Sequence, residues 1–331
     1  MRVLVTGVRG LAGSFLTEFL LSKKGIEVHG LGRPFSKNVF GQKISKDIIF
    51  HPCDICDAKT VNQVIKKVRP ERLFHLAAQS SASLSWDFPA NTLQTNIIGQ
   101  LNIFEAVRRS GQNPRIHIAG SSDVYGIVDA SQSPIRETVC LKPVSPYGVS
   151  KAAQDLLAYQ YYKAYGLPIV RTRAFNHTGP GQNETFVASN FAKQFALIEA
   201  GKEKPVIHTG DLETVRDFTD VRDIVKAYWL AIEKGKPGEA YNVCSGHGRK
   251  IREIIEFYLK QVRAKIKIEL DSSRIRPGDT PVLVGDSSKF RKETGWKPVI
   301  PFETTLTDLL NAWRQTVAGF TQPLQCGDLH L

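Results

Sequence analysis

The sequence predicts an α/β protein, a doubly wound parallel sheet joined to a smaller C-terminal α/β lobe. Three observations carry that expectation. Short β-branched apolar runs alternate with amphipathic stretches through the first half of the chain, and a glycine-spaced turn joins the first run to the first helical stretch. After residue 176 the alternation gives way to Gly-, Pro- and polar-rich sequence. Strands separated by helices need crossover connections, and right-handed crossovers place helices on both faces of a parallel sheet.

Residues 2–6 (RVLVT) read as the first strand, and the amphipathic stretch from Leu11 to Lys23 reads as the first helix. IEVHGLG (26–32), IIF (48–50), RLFHLA (72–77) and RIHIAG (115–120) are the next strands. VNQVIKKV and GQLNIFEAVRRS are helical in pattern between them. PIVRTRAFN (168–176) closes the series. Residues 177–221 hold one expected helix near 187–200. DIVKAYWLAIEKG then reads as a helix and EAYNVCSG as a strand, both returning to the sheet. A helix at 251–262, a strand at 265–270 and a last helix at 303–317 follow. The expected division is a sheet domain of 1–175 plus 222–246 and a lobe of 177–221 plus 247–331.

The composition is that of a globular chain: 331 residues, 42% hydrophobic and 23% charged. Lys and Arg outnumber Asp and Glu by 44 to 32, which favours anionic partners. The basic residues are scattered with no nucleic-acid motif, so phosphate-bearing small ligands are expected and nucleic acid is not. No apolar run reaches the ~20 residues of a membrane span. The opening MRVLVTG lacks a charged segment followed by an apolar one, so a cytoplasmic protein is expected. Of the five cysteines, Cys53 and Cys56 form a C-x-x-C, but only His51 stands near them. A metal site would need a fuller ligand set, and none is expected.

TGVRGLAG sets Gly7, Gly10 and Gly13 between the first strand and the first helix. That context lets backbone N–H groups approach a pyrophosphate at a helix N-terminus. The second strand ends GLGRP, with Gly32 where an acid would bind a ribose 2′-OH and Arg33 after it. A guanidinium suits a 2′-phosphate, so NADP(H) is preferred and NAD(H) is possible. Asp54 and Ile55 are expected near the adenine. Leu11 and Leu76 are expected along the cofactor, with Ala77 and Ala78 small enough to let it cross the sheet edge.

In SPYGVSK, Ser145 suits an N-cap and Pro146 the first helical turn. Tyr147 and Lys151 then share one helix face. The ammonium is expected to lower the phenol's pKa from its usual value of about 10, making Tyr147 a general acid, while Lys151 can also hold the nicotinamide ribose.

The glycine turn, HLAAQSS, SSDVYG and Y-x-x-x-K resemble, in order and spacing, the extended short-chain dehydrogenase/reductase family over nearly the whole chain. The resemblance implies a Rossmann-type NADP-binding domain, a nucleotide-sugar lobe and a homodimer formed through helices that include the Tyr–Lys helix. It assigns Ser121 beside Tyr147 and Lys151 as catalytic. FNHTGPGQ, FVASNFAKQ, GDLETVRDFTDVRD, YNVCSG and RPGD look like the branch acting on GDP-mannose derivatives. That implies a GDP-sugar substrate contacted by Asn176, Phe186, Val187, Lys193, Arg216 and Arg276, with His177 ordering its loop or touching substrate.

Dehydratases of this family carry a Glu where this chain has Asp123, preceded by Ser122. Asp is one methylene shorter, so Ser122 and Asp123 are expected to bind sugar or order the loop. The reaction expected is reduction by NADPH of the C4 ketone of GDP-4-keto-6-deoxy-D-mannose. A 4,6-dehydratase and a nucleotide-sugar 4-epimerase are the enzymatic alternatives, and a non-catalytic NADP-sensing protein is a distant third.

Overall fold

The computed structural model describes residues 1–33, 46–274 and 280–319. Its largest feature is a seven-stranded sheet, parallel throughout, built from β1 (Arg2–Thr6), β2 (Glu27–Gly32), β3 (Ile49–Pro52), β4 (Arg72–His75), β5 (Arg115–Ser121), β6 (Ile169–Ala174) and a late strand, Ala240–Val243. The late strand pairs with β6 at one edge and β3 forms the other, in the order late–β6–β5–β4–β1–β2–β3. The reversal of winding beside β1 opens a crevice at the carboxyl ends of the strands, where ligands bind in sheets of this kind.

Helices cover both faces. α1 (Leu11–Leu21) packs against a helix at Val221–Lys234, over a core that includes Val3, Val5, Phe74 and Tyr228. On the opposite face α2 (Ala58–Val68) packs against a helix at Gly99–Ser110, over Leu4, Leu73, Ile116 and Ile118. Successive strand residues point to opposite faces, which is why Leu4 belongs to one core and Val3 and Val5 to the other. The Val221–Lys234 helix leads into the Ala240–Val243 strand, which pairs with β6.

A third core, including Phe191, Phe195, Tyr258, Leu309 and Trp313, lies beneath helices Val187–Glu199, Ile251–Gln261 and Phe302–Val317. Short strands not anticipated here are Asn176–Thr178, Val206–Thr209, Val215–Asp220, Gly248–Lys250 and Val282–Leu283. NHT and VRDFTD lack an alternating apolar pattern; they pair with each other, VRDFTD also pairs with Gly248–Lys250, and Val206–Thr209 pairs with the distant Lys267–Leu270. Also unanticipated is a broken helical run over residues 84–98, which ends in a π-helical turn, Gln94–Ile98.

Candidate active site

Around the first turn, each backbone group is tied to a neighbouring strand. Gly7 has φ 73° and donates its N–H to the Leu31 carbonyl at 2.9 Å. A Cβ there would stand 2.7 Å from the Ala77 nitrogen, so only glycine allows β1 and the loop after β4 to close up. The Thr6 hydroxyl is bonded to His75 Nδ1 at 2.9 Å and accepts the Ala77 N–H at 3.1 Å, fixing that loop from below. At Gly10 helix α1 begins without a side-chain cap or an acidic residue in its first turn. An uncapped, positively polarised helix end facing a cavity fits the pyrophosphate of a dinucleotide.

That cavity, about 1050 Å³, runs the length of the crevice. Gly7, Gly10, Leu11, Gly13, Arg33, Asp54, Ile55, Leu76, Ala77 and Ala78 all line its first half. Arg9 joins Gly32 and Arg33 there, its guanidinium 4.6 Å from the centre of the Phe50 ring. Sequence reasoning passed over Arg9, although an arginine inside the glycine turn was a usable signal.

The middle of the cavity holds Ser121, Ser122, Asp123, Tyr147 and Lys151. Tyr147 opens the helix Pro146–Tyr165, capped by Ser145, whose hydroxyl accepts the Gly148 N–H at 3.0 Å. A Cβ on Gly148 would meet the Asp123 carbonyl oxygen at 2.8 Å, so the missing side chain lets this helix end press against the SSDVYG turn. The Ser150 hydroxyl donates to the Tyr147 carbonyl and accepts from Asn96 Nδ2, and Asn96 Oδ1 accepts the Gln79 N–H. The π-helical turn thus presents Asn96 as a strut beneath Tyr147.

Lys151 is buried, donates from Nζ to the Ala119 carbonyl at 2.9 Å, and stands 5.9 Å from the centre of the Tyr147 ring. Burial lowers its pKa to about 8, against an opposing pull from the Asp123 charge. Tyr147 behaves contrary to expectation. Its phenol is raised above the usual value, first by burial and then by the Asp123 carboxylate, while a hydrogen bond with Ser121 works the other way. The expected lowering by Lys151 is not found: desolvation of the phenolate is the largest influence. At neutral pH Tyr147 therefore carries its proton.

The far half of the cavity is lined by Asn176, Phe186, Val187 and Arg216, and by His177, whose Nδ1 is bonded to the Phe175 carbonyl. Arg216 donates from Nη1 to the carbonyls of Val215 and Thr280. Lys193 does not line the cavity. It pairs with Glu184 at 3.4 Å and lies 5.7 Å from the centre of the Trp313 ring. The reason is helical phase: Val187, Asn190 and Phe191 face inward at i, i+3 and i+4, which turns Lys193 away. Arg276 lies outside the described residues. Arg274 and the Thr209–Asp211 turn, which sequence reasoning missed, line this end.

The Cys53 thiol is pushed up to about 12 by burial and by Asp57 and Asp54, and the Cys56 thiol is also raised, so neither has the low pKa of a reactive cysteine. Among the described residues no helix is long and apolar enough to cross a membrane.

A family model described as GDP-mannose 4,6 dehydratase matches residues 4–309. GDP-6-deoxy-D-mannose reductase of Pseudomonas aeruginosa is 36% identical over 75% of this chain and 82% of its own length. GDP-mannose 4,6 dehydratase 2 of Arabidopsis thaliana is 34% identical over 91% of this chain and 83% of its own. Among solved structures, RMD from Pseudomonas aeruginosa complexed with NADPH superposes with a TM-score of 0.84 at 31% identity, covering 95% of this chain and 99% of that one.

Proposed function

The chain belongs to the GDP-mannose 4,6-dehydratase family of extended short-chain dehydrogenases/reductases, and from that premise we propose that it reduces the C4 ketone of GDP-4-keto-6-deoxy-D-mannose, giving GDP-D-rhamnose. The nicotinamide cofactor, when bound, supplies the hydride. Ser121 and Tyr147 hydrogen-bond the ketone oxygen, and Tyr147 gives that oxygen its proton. Lys151 holds positive charge at the cofactor ribose. The observation that carries this reading is the set that meets in the cavity beyond the glycine turn: Ser121, Asp123 in place of Glu, Lys151 and, as proton donor, Tyr147. A reduction calls for a proton donor at this position. Dehydration needs in addition a base within hydrogen-bond reach of the sugar C5 proton, and Asp123 is one methylene shorter than the Glu that dehydratases carry there.

Two arginines on one rim of the cavity, Arg9 and Arg33, favour NADP(H) over NAD(H). Val149, Leu156 and Tyr159 form an exposed apolar face on the helix that carries Tyr147, and Leu84, Trp86 and Phe88 are also exposed. This favours a homodimer through that helix, to be measured by analytical ultracentrifugation. The described cysteines are all free thiols, in keeping with a reducing cytoplasm.

The test is to mix the protein with the ketosugar and NADPH, follow nicotinamide absorbance and identify the product by NMR. Oxidation of one NADPH per sugar is expected, and its absence refutes the reaction. A second reading, GDP-mannose 4,6-dehydratase, is favoured by the Asp123 carboxylate lining the cavity where dehydratases carry Glu. It requires conversion of GDP-mannose to the ketosugar with no net use of cofactor.

A further inference from the structure

We propose that the hydroxyl of Tyr228 hydrogen-bonds the carboxamide of the bound nicotinamide ring and so sets the seat of that ring beside Tyr147. Tyr228 lines the cavity yet is only 2% exposed, and among the described residues its hydroxyl has no hydrogen-bond partner. The ring is packed in the core while the residue reaches the cavity, so a group that fills the cavity can meet its hydroxyl. Three other buried tyrosines around the same sheet have partners: Tyr125 bonds Asn242, Tyr161 bonds Glu105, and Tyr241 accepts the Lys236 N–H.

Location points to the cofactor rather than the sugar. Tyr228 belongs to the core cluster on which Leu11, Leu76 and Ala119 pack, and those three line the passage from the glycine turn to Tyr147. Tyr228 and Tyr147 line the same cavity as Ala119, whose carbonyl holds the Lys151 amine. The Tyr228 ring is held by His117, centroids 4.4 Å apart, and His117 is fixed by Nε2 to the Thr172 hydroxyl at 2.8 Å. The phenol is therefore preorganised. At this end of a dinucleotide the ribose falls to Lys151 in the reading above, and Tyr147 to the ketone. The carboxamide remains, offering an acceptor and a donor to a group that is both.

The contact goes beyond the proposed reaction and holds whichever ketone is reduced. Tyr228→Phe keeps the ring and its stack on His117. Fluorescence titration should show NADPH bound roughly 3- to 10-fold more weakly by the variant, the value of one neutral hydrogen bond. Binding of 2′-phospho-ADP-ribose, which lacks the nicotinamide, should be unchanged by calorimetry, and that result also shows the variant folded. NADH and ADP-ribose are run in parallel, so that an error in the 2′-phosphate preference is read separately. Unchanged NADPH affinity, or equal weakening of the intact and truncated ligands, overturns the contact. A wild-type protein binding neither dinucleotide overturns the cofactor reading, and this contact with it.

Discussion

The two halves of the cavity are built in different ways. In the cofactor half, Gly7, Arg33, Asp54, Ala77 and Ser121 all stand at or just beyond the carboxyl ends of strands in one parallel sheet. In the lobe half, Phe186, Gly210, Arg216 and Arg274 come from a helix entry, a turn, a short strand and a loop that meet only on folding. The sheet imposes one geometry on many positions, so each position carries a local mark: a glycine, a small residue or a helix cap. The lobe imposes no common rule. An arginine there looks the same in sequence whether it faces a ligand or a neighbouring carboxylate.

The sharpest break in the comparison comes at the junction of the halves. Tyr147→Phe removes the proposed proton donor while leaving the ring in place, and kcat should fall by roughly 10²- to 10⁴-fold. NADPH binding should stay within about threefold, since at most one neutral hydrogen bond is lost. Undiminished reduction by a folded variant would remove the phenol from the chemistry.

Next in size is a crossed pair of substitutions, one in each half. Arg33→Asp should weaken NADPH by roughly 10- to 100-fold and narrow or reverse the preference over NADH, as expected for loss of a charge-assisted contact to phosphate. The KM for the GDP-sugar should not move. Arg216→Ala should do the opposite, raising the sugar KM by roughly 10- to 100-fold with NADPH affinity intact. If either substitution moved both ligands equally, the division of the cavity into two binding halves would be wrong.

A smaller effect concerns charge at the junction. Lys151 has been brought down to about 8 by burial, so its positive charge is complete well below that pH and is lost above it. Binding of NADPH and kcat/KM should therefore decline as pH rises through about 8. The Asp123 carboxylate raises the pKa of Lys151, so Asp123→Asn should move this alkaline limb to lower pH. A limb that stayed in place or moved upward would show that Lys151 is not the group titrating.

These contrasts explain what could be read in the sequence. The strand–helix alternation, the glycine turn, the Ser145–Pro146 helix entry and the Tyr–Lys face were legible because each is a short-range pattern with a short-range cause. The strut through Asn96 was not, because it depends on a π-helical turn meeting a helix 54 residues later. Nor was the charge state of Tyr147. Lys151, four residues away, could be seen in the sequence, whereas the desolvation that raises the phenol comes from the whole surrounding fold.

Lys193 gives the finest test, with the smallest expected effect. Resemblance placed it on the nucleotide, but the inward face of its helix is taken by Val187, Asn190 and Phe191. The Lys193 amine is instead spent on a half-exposed pair with Glu184. Partly exposed pairs of this kind contribute about 0–1 kcal/mol. Lys193→Ala should therefore leave both the GDP-sugar KM and NADPH affinity within about twofold, with only a slight loss of thermal stability. Asn190→Ala, one turn earlier on the inward face, should raise the sugar KM by more than Lys193→Ala does. A tenfold rise in KM for Lys193→Ala would mean that the helix presents a different face to its ligand, and that the family resemblance read this position better than helical phase does.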